Sequence, residues 1–175
     1  MKYLKWLLLL PVAVYPYIYF VVIMPGLPED IENILRWLVN TLDLNIWSFI
    51  GLTWLVGLAG ALLIFLSRKH WTARELALAN MLIKLIHIPS YMFWFIFGIA
   101  MILFMGPVWA FLMDAMTIAL SGLVGVVAAL RCRAEGRLTA GAAIVNGVLQ
   151  FVFCVDVFSA IWVFYKSGKS KESLL

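Results

Sequence analysis

Ionisable side chains are rare inside the apolar stretches of this sequence, and the few that occur there are the first candidates for chemistry. Lys84, His87, Asp114 and Asp156 each lie within a long apolar run. Placing such a group in hydrocarbon is unfavourable by roughly 3 kcal/mol or more, so each one must be paired, hydrated or used. These residues therefore predict where a polar site lies, without identifying its substrate.

Further polar residues fall on the same helix faces. Four of them recur at helical spacing in the third apolar run: Asn80, Lys84, His87 and Tyr91. Asn146 and Gln150 form a second pair, one helical turn apart, in the last run. Both groups are expected in the inner half of the membrane, where they can bond to each other or line a water-filled cavity. In this interpretation His87 lies within a water-bridged distance of Gln150 or Asn146.

Two of these residues also have simpler interpretations. The apolar run after Lys84 is long enough to span a bilayer by itself, so Lys84 can lie at the inner interface and extend its amine to lipid phosphates. A buried neutral His87 can donate to a backbone carbonyl instead of contacting substrate or moving a proton. The sequence leaves both alternatives open.

Asp114 and Asp156 are expected at similar depths on neighbouring helices, about 10 and 14 Å inside the outer boundary at 1.5 Å per residue. If the two carboxylates face each other, they share a proton or hold a cation. If they face apart, each is expected to bond to nearby hydroxyl groups, which are Thr117, Ser121 and Ser159.

The sequence contains no recognised catalytic or metal-binding motif. HExxH, GxSxG, a Gly-rich phosphate loop and CxxC are all missing, so neither an enzyme nor a cofactor is predicted. Cys132, in a basic turn over 131–137, and Cys154, within an apolar run, are expected to be unpaired thiols, with Cys132 the more exposed. The net charge of +4 comes from residues beside apolar runs and does not indicate nucleic-acid binding.

Long apolar runs must position all these residues. The 175-residue chain is 65% hydrophobic and 13% charged, whereas a soluble domain is nearer half apolar and a quarter charged. A helix needs about 20 apolar residues to cross a bilayer. The sequence therefore predicts an all-α integral membrane protein with a single domain over 1–175. Its five-span helix bundle has spans at about 4–24, 46–66, 76–105, 108–130 and 139–165.

Residues 29–44 are predicted to form an external amphipathic surface helix. Pro28 and the acidic residues after it are typical of a helix start. The segment is too polar to span a membrane, so it is expected to lie flat on the surface. The side chains expected to face inward are Ile31, Leu35, Leu38 and Leu42.

The distribution of Lys and Arg favours a cell-membrane protein with a cytoplasmic N-terminus and an external C-terminus. In that orientation the loops 68–74 and 131–137 share the cytoplasmic side, and eight basic residues lie inside against four outside. The inner eight are Lys2, Lys5, Arg68, Lys69, Arg74, Arg131, Arg133 and Arg137, and the outer four are Arg36, Lys166, Lys169 and Lys171. The basic tail argues against this orientation, since an even number of spans with one re-entrant segment would place both termini inside.

Two functions fit these features. The first is a transporter or ligand-binding protein with a polar intramembrane pocket for a small molecule or ion. The second is a non-catalytic accessory or immunity-type subunit that binds another membrane protein. Small residues at four-residue spacing in span four (Ser121, Gly125 and Ala129) allow close helix packing, either against span five or in a homodimer.

Overall fold

A computed structural model describes residues 4–23 and 45–168, together with the isolated positions 29, 33, 34, 37 and 41. Its regular secondary structure is helical, and no strand occurs among the described residues, which confirms the predicted all-α class. A 3-10 helix, Leu4–Leu9, leads into the first α-helix. The α-helices are α1 (Leu10–Ile23), α2 (Ile46–Leu66), α3 (Ala73–Ala100), α4 (Gly106–Ala134), α5 (Ala140–Leu149) and α6 (Val155–Ser167).

Three of these helices, α2, α3 and α4, are long and apolar enough to cross a membrane. Helix α3 begins with the capping box expected from the sequence, in which Thr72 and Glu75 each bond to the other's backbone N–H. The helix continues through Pro89 and ends at Ala100, earlier than the predicted 105, and a short 3-10 helix follows it.

The first four helices run alternately between the two ends of the bundle. At one end, the Lys5 ammonium lies 2.7 Å from the Glu75 carboxylate, at the start of α3. The Arg131 guanidinium, near the end of α4, donates to the Trp71 carbonyl at 2.9 Å. The start of the chain, the loop 68–74 and the last turn of α4 therefore meet at this end, which we call the basic end.

The predicted fifth span, 139–165, is not one helix, and this expectation is corrected. Helices α5 and α6 have 10 and 13 residues and are separated by a turn at 150–154. They run antiparallel, because the Ser159 hydroxyl donates to Asn146 Oδ1 at 2.9 Å while Ala143 and Val163 share one hydrophobic cluster. Helix α5 is only ~15 Å long at 1.5 Å per residue, about half of a bilayer core.

The hairpin of α5 and α6 enters the bundle from the basic end and returns to it. The cluster that contains Ala143 and Val163 also contains Ala73, at the start of α3, and Cys132, near the end of α4. The turn at 150–154 lies further along α3, where the Gln150 carbonyl meets Lys84, so the hairpin covers only part of the length of its neighbours. Its sequence, Gln-Phe-Val-Phe-Cys, contains no Gly or Pro, which is why the break was not visible in the sequence.

Two further expectations change at the end of α4. Arg131, Cys132 and Arg133 belong to the helix and not to a turn, and Gly136, with a φ of 70°, reverses the chain after it. Cys132 is buried and Cys154 is exposed, the opposite of the expected order, because Cys132 packs between α4 and the start of α3.

The external surface helix stays a prediction. The described positions between 29 and 41 are helical and exposed, including Ile34 and Trp37. The four side chains expected to face inward, Ile31, Leu35, Leu38 and Leu42, lie outside the described residues.

Candidate functional site

Lys84 is the centre of a buried polar network. Its side chain is fully buried, ~17 Å from the start of α3 at 1.5 Å per residue. The ammonium donates to Asp156 Oδ2 at 2.6 Å, to Ser121 Oγ at 2.8 Å and to the Gln150 carbonyl at 3.2 Å. All three N–H groups are therefore used, and the interpretation of Lys84 as a lipid-interface residue is wrong.

The partners of Lys84 come from three different elements. Ser121 lies on α4, Gln150 begins the hairpin turn, and Asp156 lies in the first turn of α6. The second carboxylate oxygen of Asp156 accepts from the Val157 backbone N–H at 2.9 Å. One cation on α3 thus contacts the hairpin turn, α4 and α6, and its ion pair with Asp156 is fully buried.

A chain of amide and hydroxyl groups extends this network into the hairpin. Asn80 Nδ2 donates to Gln150 Oε1 at 3.2 Å, and Gln150 Nε2 donates to Ser159 Oγ at 3.0 Å. Ser159 in turn donates to Asn146 Oδ1. The two polar faces expected from the sequence therefore meet and bond directly to one another, which is one of the two alternatives that the sequence left open.

Two glycines on α4 allow the turn to approach so closely. A Cβ at Gly122 would lie 2.7 Å from the Phe151 ring, and one at Gly125 would overlap the side chain of Gln150. The small-residue face of α4 is therefore occupied by the hairpin turn of the same chain. This packing is the intrachain alternative that the sequence left open beside a homodimer.

His87 and Tyr91 lie outside this network. His87 Nε2 is 3.0 Å from the Val12 carbonyl of α1, which fits the simpler interpretation of a buried histidine bonded to the backbone. The expected water-bridged contact from His87 to Gln150 or Asn146 stays a prediction. The Tyr91 ring packs edge-on against both His87 and Phe153, with centroid distances of 6.1 and 5.6 Å.

Asp114 is separate from the ionic contact as well. The hypothesis of an Asp114–Asp156 pair is wrong, because Asp156 pairs with Lys84. Asp114 instead lines a cavity of about 830 Å³ between the last turns of α3, the first turns of α4 and the hairpin turn. The Oδ1 atom of Asp114 is buried and has no hydrogen-bond partner in the structure.

The cavity exists because the hairpin is short. From the basic end to the turn, α5 and α6 cover the seam between α3 and α4. Beyond the turn the seam is open, and Phe151, Val152 and Phe153 form one wall of the space that remains. This cavity follows from the helix break at 150–154, which no residue pattern in the sequence indicated. Ser121 and Ser159 were expected only as partners of isolated carboxylates.

Among the described residues, no group of three or more His, Cys, Asp or Glu could hold a metal ion. Comparisons with protein-family models, curated proteins and solved structures found no match to this chain.

Proposed function

We propose that this chain is a small multi-pass protein of the cell membrane with four crossing helices, one re-entrant hairpin and both termini in the cytoplasm. The basic end supports this orientation, because it gathers the basic residues that flank the helices. The described residues of this group are Lys5, Arg68, Lys69, Arg74, Arg131, Arg133, Arg137 and Lys166. Lys2, Lys169 and Lys171 adjoin the same termini in sequence, which leaves Arg36 outside and Lys84 buried.

This arrangement replaces the five-span bundle with an external C-terminus. The basic tail no longer contradicts the positive-inside rule, since a hairpin that enters and leaves at one end adds no crossing. Helix α1 and the 3-10 turn before it supply the first crossing, and α2, α3 and α4 supply the other three.

Within this topology we propose that the protein binds a small ligand in the membrane, as a transporter or a ligand-binding protein. The observation that carries the proposal is the cavity of about 830 Å³ closed on one side by a broken helical segment. Its size matches that of small-molecule sites. Non-helical backbone at membrane depth is tolerated where it is buried or lines a cavity, and transporters use such breaks at their binding sites.

The ion pair between Lys84 and Asp156 can control a movement of the α5–α6 hairpin. A path from the cavity to the basic end requires the hairpin to leave the seam between α3 and α4. The contact that opposes this movement is the bond from Lys84 to Asp156 and the Gln150 carbonyl. In this mechanism ligand binding against the turn shifts the hairpin between two positions.

Photo-crosslinking in cells tests the proposal. Phe153, in the cavity wall, is replaced by p-benzoylphenylalanine, and Phe158, which is 73% exposed on α6 and outside the cavity, is replaced in the same way as the matched control. We expect Phe153 alone to acquire an adduct with the mass of a small molecule. Lipid adducts at both positions would contradict a ligand site.

A second function, an accessory subunit bound to another membrane protein, is favoured by one observation. The buried polar residues satisfy one another directly, as expected of a structural network. For this function the cavity would accept a helix of the partner, and the crosslink at Phe153 would join the chain to a polypeptide.

A further inference from the structure

We infer that the cavity takes a lipophilic organic cation, with the Asp114 carboxylate as its counter-ion; this inference rests on the proposed ligand-binding function. Asp114 is the only polar side chain among the residues that line the cavity, all of which lie in the described part of the chain. A carboxylate oxygen that is buried and lacks a hydrogen-bond partner leaves an unmet demand for a donor or a positive charge.

No cation of the described chain meets that demand. Lys84 uses its three N–H groups on Ser121, Gln150 and Asp156. The other described Lys and Arg residues lie at the basic end, and His87 Nε2 contacts the Val12 carbonyl. Asp114 lies ~12 Å from the opposite end of α4 at 1.5 Å per residue. No described lysine or arginine is therefore paired with Asp114, which leaves its buried Oδ1 atom available to a ligand.

The other residues that line the cavity indicate which substituents the cation carries. The cavity wall that contains Asp114 also contains four phenylalanine rings: Phe95, Phe111, Phe151 and Phe153. Aromatic rings attract organic cations through their negative faces and pack against apolar groups. A compact cation with aromatic or alkyl substituents satisfies both the rings and the carboxylate.

A phospholipid head group fits the cavity less well. Its amine would be accompanied by a phosphate, which requires hydrogen-bond donors. The residues that line the cavity supply no donor side chain, since all except Asp114 are apolar. An organic cation without a phosphate requires no burial of a second, negative charge.

Binding of two ions of the same shape and opposite charge tests the inference. The full chain is reconstituted in phosphatidylcholine nanodiscs, and the binding of tetraphenylphosphonium and tetraphenylborate is measured by equilibrium dialysis, after subtraction of binding to empty nanodiscs. The variants are Asp114→Asn, which preserves shape, and Glu135→Gln, which removes a carboxylate at the basic end as the matched control. Ala119→Trp, in the cavity wall, reduces the space, and Ala59→Trp, exposed on α2, controls for it.

We expect saturable binding of tetraphenylphosphonium but not of tetraphenylborate. Asp114→Asn should weaken it roughly tenfold or more, the effect of losing one charge-assisted contact, and Ala119→Trp should abolish it. Glu135→Gln and Ala59→Trp should bind as the natural chain does. Asp114→Asn should keep its thermal stability, because it removes no hydrogen bond of Oδ1, so loss of binding would not reflect unfolding.

Other outcomes overturn the inference in distinguishable ways. Equal binding to the natural chain and to Asp114→Asn, lost in Ala119→Trp, would mean that the cavity binds apolar molecules without regard to charge; the inference would fail and the proposed function would stand. Displacement of the probe by phosphatidylethanolamine added to the nanodiscs would assign the site to a lipid amine. No saturable binding by the natural chain would reject the cation site, and the crosslink at Phe153 would then decide the proposed function separately.

Discussion

At the scale of single residues, the position of the hairpin depends on Lys84. The charges of the buried Lys84 ammonium and the Asp156 carboxylate compensate each other across 2.6 Å, and both side chains are fully buried. Such a pair adds little net stability compared with apolar residues of the same shape, but removal of one partner leaves an unpaired buried charge.

The change Lys84→Met is therefore expected to destabilise the fold by roughly 3–5 kcal/mol. It leaves Asp156 without its cation and removes the donor of the Gln150 carbonyl. The measurement is denaturant unfolding in detergent micelles. The double change Lys84→Met with Asp156→Leu should recover part of the loss, since no lone charge remains.

The control for this prediction is Lys166→Met on α6, where the lysine lies at the surface of the bundle. It should unfold like the natural chain. A Lys84→Met protein as stable as this control would show that the ion pair does not hold the hairpin in place.

At the scale of elements, the fit of the hairpin turn against α4 depends on glycine. A methyl group at Gly125 would occupy the space of the Gln150 side chain, which bonds to Asn80 and Ser159. The Gln150 side chain cannot withdraw without breaking these bonds, so steric overlap and lost hydrogen bonds add together.

Gly125→Ala is thus expected to destabilise the protein by about 1–3 kcal/mol. Gly141→Ala on α5 is the matched control, because an added Cβ there meets no atom within 4 Å. That change should be neutral or slightly stabilising, as Ala is the better helix former. Thermal unfolding of the two variants compares them directly, and equal stability would refute the close packing at Gly125.

At the scale of the whole molecule, the proposed membrane topology depends on the hairpin. Val163, near the end of α6, packs with Ala73 and Cys132 at the basic end. In the proposed topology, four crossings and a re-entrant hairpin begin and end on one side of the membrane, so the two termini are expected to lie together.

Labelling of single cysteines in intact cells measures this arrangement, in a chain whose exposed Cys154 is changed to Ser. Lys69→Cys, Arg133→Cys and Lys166→Cys should resist a membrane-impermeant thiol reagent until the cells are opened. Glu29→Cys, at an exposed position between α1 and α2, should react at once. Reaction of Lys166→Cys in intact cells would restore the arrangement with an external C-terminus.

The sequence by itself determined the all-helical class, the bounds of α2 to within a residue and the capping box that starts α3, because hydrophobic length and end residues are local properties. It also identified residues that require hydrogen-bonding partners, because a polar residue within a long apolar run can be recognised from the sequence. These residues are Asn80, Lys84, Asn146, Gln150 and Asp156.

Only the tertiary structure decided which partners they find. Depth along one continuous fifth span placed Asp156 beside Asp114, whereas the structure pairs it with Lys84, because the chain turns back before α6 begins. The break at 150–154 carries no local signal, and in the structure the turn there brings the Gln150 carbonyl and Asp156 to the ammonium of Lys84. The cavity that holds Asp114 is the space which that short hairpin does not fill, so no reading of the chain along its length could have located it.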